Sequence, residues 1–89
     1  MADEHPPEFD FEALQQQLAA FAVEQFLISA ASTLASLAVA KLEREDLPQA
    51  KKAIDALGAL APHLEGELAG ELRRTLTNLQ VAYAEAASA

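Results

Sequence analysis

The 89-residue sequence contains no cysteine, which excludes disulfides and thiolate metal sites. It has only two histidines, His5 and His63, so a zinc site is not expected. Of its three glycines, Gly66 and Gly70 fall outside any strand-turn-helix setting, so no phosphate-cradling loop is present. Neither a Gly-x-Ser-x-Gly elbow nor a His-Glu-x-x-His motif occurs, and no serine pairs with a histidine and an acid in a meaningful way. Basic residues are scarce too, six against 14 acids, for a formal net charge of −8. Binding phosphate backbones needs clustered Lys and Arg, which argues against a nucleic-acid partner. The same shortage disfavours attraction to an anionic membrane surface. The excess of acids serves solubility in a chain that is 52% hydrophobic.

Beta structure is also missing. Period-2 alternation is absent, β-branched residues are few, and Ala, Leu, Gln and Glu dominate. The expected fold class is therefore all-α. A chain of this length is one domain at most. Small domains bury a smaller share of their surface and lean on disulfides, metal or oligomerisation. With the first two set aside, a homo-oligomer, with a dimer favoured, is the expected source of extra stability.

The N-terminus reads Met-Ala-Asp-Glu-His-Pro-Pro-Glu, without a basic stretch or an early apolar core. No signal peptide is visible there, and a cytoplasmic location is expected. Pro6 and Pro7 block helix formation, so residues 1–9 are expected to be a disordered tail before a single helical domain over 10–89. Asp10 is a candidate helix cap, and Glu12 suits the positive helix start.

From Phe11 no Gly or Pro appears until Pro48, which predicts one long helix over about 10–44. Its apolar residues recur at Phe11, Leu14, Leu18, Phe21 and Ile28, with Gln25 in the same row, the 3-4 spacing of a packing seam. A second stripe runs through Val23, Leu27, Leu34, Leu37 and Leu42. Ser29, Ser32 and Ser36 form a row of small residues that lets another helix approach closely, their hydroxyls bonding back to the helix's own carbonyls. Glu24 sits beside this apolar stretch, either facing water or making a polar contact between subunits.

Asp46-Leu47-Pro48-Gln49 reads as a helix start, with Asp46 as N-cap and Gln49 as its capping-box partner. The helix it opens covers about 47–60, with Ala50, Ala53, Ile54, Leu57 and Leu60 inward and a Lys51–Asp55 pair outside. Gly58 weakens it, and Ala61-Pro62 breaks it. Residues 62–70 read equally as a loop with one helical turn or as an early start to the next helix. That third helix covers about 68–86, with Leu68, Leu72, Leu76, Leu79, Tyr83 and Ala86 on one stripe. Arg73 and Arg74 are expected to be salt-bridge partners in this acidic chain, and Tyr83 to pack with its hydroxyl at the rim.

The segment Asp46-Leu47-Pro48-Gln49-Ala50-Lys51-Lys52-Ala53-Ile54-Asp55-Ala56-Leu57 resembles the hallmark of the bacterial family called domain of unknown function 1844. Phe26-Leu27-Ile28-Ser29, Gly66-Glu67-Leu68 and Leu79-Gln80-Val81-Ala82-Tyr83-Ala84-Glu85 are similar to it in the same order, over about residues 20–86. The family's Gly- and Pro-containing connector is absent, because Val39 to Glu45 runs straight through, and the entry to the third helix is shorter. The resemblance implies a helical bacterial cytoplasmic protein and no particular activity.

The lengths suggest where a partner binds. Thirty-five helical residues reach roughly 50 Å, twice what the shorter helices span, so half of the first helix would be left uncovered. A non-enzymatic interaction or structural protein is the expected function, with no cofactor. It would self-associate or dock on a helical partner through Leu14, Leu18, Phe21, Phe26, Leu27, Ile28, Ser29, Ser32, Leu34, Ser36 and Leu37. Two alternatives are a metal or ligand site at His63, Glu65, Glu67 and Glu71, and a membrane-associated subunit using the uncharged run 25–40. Acids are favourable at a helix start without any metal, and that run is shorter than the ~20 residues of a span.

Overall fold

The computed structural model describes residues 10–89; the expected tail at 1–9 lies outside the described residues. Four α-helices follow one another: α1 (Phe11–Ala20), α2 (Val23–Glu43), α3 (Leu47–Leu60) and α4 (Gly66–Ser88), with a 3-10 turn at Ala61–His63 between the last two. No strand occurs among the described residues, so the chain is all-α.

The single long helix over 10–44 is corrected to two. Phe21 (φ −81°, ψ 131°) and Ala22 (φ −72°, ψ 122°) are extended between α1 and α2. No Gly or Pro makes this break. Phe21 and Val23 are residues that lose χ1 freedom in a helix, and α1 packs on no other helix among the described residues to offset that loss. Each new helix gains its own start. Asp10 Oδ1 accepts from the Glu12 and Ala13 N–H groups at 3.1 and 3.2 Å, and Glu24 lies in the first turn of α2.

The other three α-helices pack on one another. The inner face of α2 carries Leu27, Ile28, Ala31, Leu34, Ala35, Ala38 and Leu42. It meets Ala53, Ile54 and Leu57 of α3 and Ala69, Leu72, Leu76, Leu79 and Tyr83 of α4. Ala31 and Ala38 are fully buried and let the backbones approach. Among the described residues only Leu57 and Leu64 are large side chains with almost no exposure, so the core is thin and alanine-rich.

The turn from α2 to α3 is a Schellman closure. The Asp46 N–H donates to the Lys41 carbonyl at 2.9 Å and the Glu45 N–H to the Leu42 carbonyl at 3.0 Å. Glu45 takes the left-handed conformation this requires (φ 61°). Asp46 then caps α3, its Oδ1 accepting from the Gln49 N–H at 3.4 Å. Its own N–H goes to Lys41, so the expected reciprocal capping box is only half made. Gly58 is carried inside α3 without a break, and residues 62–70 resolve into the 3-10 turn, an extended Leu64-Glu65 pair and the first residues of α4. Gly66 opens α4 at φ +85°, a conformation that only glycine adopts freely.

Candidate functional site

Ten large apolar side chains are exposed among the described residues, and eight of them belong to α1, the link and α2. On α1, Phe11, Leu14 and Leu18 share one face at 3-4 spacing, and no residue of that helix is buried. Phe21 and Val23 continue the surface through the bend to Phe26. Leu18, Phe21, Val23 and Phe26 line an open pocket of about 290 Å³ at the junction. Leu37 (45% exposed) continues the Phe26 flank along α2, whereas Val39 (44%) lies on the other side of the buried Ala38.

The second expected stripe divides around the helix. Leu27, Ile28 and Leu34, three of the expected interface residues, are half-buried and pack against the chain's own core. Phe26, Leu37, Ser29, Ser32 and Ser36 face outward and are exposed. Close approach between helices is made by the alanine row Ala31-Ala35-Ala38, not by the serine row. The outer apolar flank is Phe26, Ala30, Thr33, Leu37 and Ala40, at steps of 4 and 3, with the serines alongside it. Ala30, Thr33 and Val39 were not singled out in the sequence, although the step pattern from Phe26 contained the first two.

Glu24 is half-buried and stays within its own chain: its Oε2 accepts from the Glu65 N–H at 3.2 Å. Nearby, Arg73 Nη2 donates to the Leu64 carbonyl at 3.1 Å. This bond gives Arg73 a role at the corner in place of the expected salt bridge. His63, Glu65, Glu67 and Glu71 are all exposed around this corner. Among the described residues no three His, Cys, Asp or Glu side chains converge as a metal site.

By length and composition α2 is sufficient to cross a membrane. At 21 residues it reaches about 31 Å, close to the hydrocarbon thickness. Its ends are acidic or mixed, with Glu24 at one and Lys41 and Glu43 at the other. No family model, curated protein or solved structure matches this chain.

Proposed function

We propose that this chain is a non-enzymatic helical interaction protein that self-associates through α1 and the outer face of α2. The observation that carries this reading is that eight of the ten exposed large apolar residues among those described lie on α1, the link and α2, seven of them on α1, the junction and the Phe26–Leu37 flank. Soluble monomers rarely expose contiguous apolar patches of more than a few hundred Å². The thin core supports it as well, since a homodimer would add the apolar burial that a chain of this size lacks alone. In this reading the protein is a cytoplasmic homodimer without cofactor, and its resemblance to a bacterial family of unknown function adds no activity.

Size-exclusion chromatography with light scattering tests it. The expected mass is twice the 9.5 kDa of the chain at micromolar concentration. A clean monomer overturns the reading.

A second reading rests on the length and apolar character of α2: a membrane-associated subunit inserted through that helix. It is the weaker of the two, because insertion would strip α3 and α4 of the face their Ile54, Leu57, Leu72 and Leu79 cover. Sedimentation with phosphatidylcholine vesicles separates them. Protein that stays in the supernatant rejects insertion.

A further inference from the structure

The self-association reading leaves open which surface meets which, and α1 supplies the answer. Isolated helices shorter than about 12–15 residues are marginal in water. At ten residues α1 is below that range, and it contacts no other helix among the described residues. The extended Phe21 and Ala22 carry it away from its own α2. We propose that α1 is an exchanged arm, packing across the outer face of α2 in a second copy of this chain while the second copy's arm returns the contact.

Three quantities favour a second copy as the occupant. The first is area. The seven exposed apolar residues on α1, the junction and the Phe26–Leu37 flank present on the order of 700 Å² of surface. A standard interface takes about 800 Å² from each partner, so one such face against another is close to sufficient. The second is length. The arm extends about 15 Å, and the outer flank from Phe26 to Leu37 about 17 Å. The third is charge. Two copies of a chain with net charge −8 repel over most of their surface. Residues 13–23 and 25–40 carry no charge at all. These runs are where two copies approach without setting acid against acid. A two-fold axis then makes each arm contact twice, so the interface closes and no open chain of molecules grows.

The absence of cysteine makes a cross-linking test clean. Full-length chains carrying Leu14→Cys and Thr33→Cys, one substitution each, are mixed and treated with a short bismaleimide. The expected main product is a covalent heterodimer joining residue 14 of one copy to residue 33 of the other. Placing both cysteines on one chain should also give intermolecular products. An internally linked monomer from that chain would show the arm folded back on its own α2 and overturn the proposal.

The charged double variant Leu14→Glu/Leu18→Glu is the second arm of the test. It touches nothing in the core, and the dimer should weaken on the order of 1,000-fold. A dimer that survives this change overturns the exchanged arm but leaves self-association standing. A wild-type monomer overturns both. A wild-type chain that is monomeric yet sediments with phosphatidylcholine vesicles, and loses that property in the double variant, replaces the second copy with a lipid surface.

Discussion

The Glu24 carboxylate accepts a hydrogen bond from the Glu65 backbone N–H across 41 positions of sequence, at 3.2 Å. It joins the start of α2 to the start of α4, where Glu65 is the N-cap and has no side-chain bond of its own to close the helix. The contact also explains how α4 runs. With both N-termini tied together, α4 lies alongside α2, and its C-terminal Ala86 and Ala89 reach Leu42 and Leu47 at the opposite end.

Removing that acceptor should loosen the corner. Glu24→Ala is expected to lower unfolding stability by about 0.5–1.5 kcal/mol, the range of a partly solvated hydrogen bond. Glu24→Gln retains an acceptor oxygen and should cost less. Urea denaturation of the two variants checks the order, and equal losses would show that the carboxylate acts through helix-dipole charge instead.

Gly66 is required for its backbone and not for its size. A Cβ at this position would meet nothing within 4 Å, yet φ is +85°. Gly66→Ala should therefore cost about 1–2 kcal/mol of stability from left-handed strain alone. Gly70 has the same open surroundings without a positive φ, so Gly70→Ala should be neutral or stabilising. Thermal unfolding of the pair tests this contrast.

The sequence made much of this fold legible and one part of it misleading. Asp46-Leu47-Pro48 marked the start of α3 because capping chemistry is local. The Leu72-Leu76-Leu79-Tyr83 stripe marked α4 because its period is set by one buried face. The bend at Phe21-Ala22 was not legible, because no breaker residue stands there and the missing ingredient is a helix for α1 to pack on among the described residues. The faces of α2 were also only half legible. Leu34 and Leu37 are both leucines on an apolar helix, and only the positions of α3 and α4 turn the first inward and leave the second exposed.

Lys51 and Asp55 form the expected surface pair, Nζ to Oδ2 at 2.8 Å. The hydrogen bond that Lys51 donates to Asp55, together with the carboxylate's charge, raises the Lys51 pKa above the ordinary 10.5. A raised lysine pKa means that the folded state holds its proton more tightly than the unfolded state. The small stabilisation is complete below 10.5 and is lost as pH rises through the folded value. Stability measured between pH 9 and 12 should thus fall less steeply in Lys51→Met than in the wild type. An identical pH profile would show that the pair does not form in solution.

The tightest packing in the core comes from alanine, and that gives the sharpest contrast between neighbouring positions. Ala38 has no exposure and lies where α2 meets the rest of the core, whereas Ser36, two residues earlier, is exposed. Ala38→Leu would force extra methylenes into a closed contact and should cost about 1–3 kcal/mol. Ser36→Leu would add the same side chain to the outer face and should change the stability of the folded chain by no more than about 0.5 kcal/mol. Equilibrium urea unfolding at matched protein concentration compares them. If both substitutions cost the same, the inner and outer faces of α2 are not distinguished as the packing of α3 and α4 requires. If Ser36→Leu instead stabilises with increasing protein concentration, the added leucine is being buried between chains.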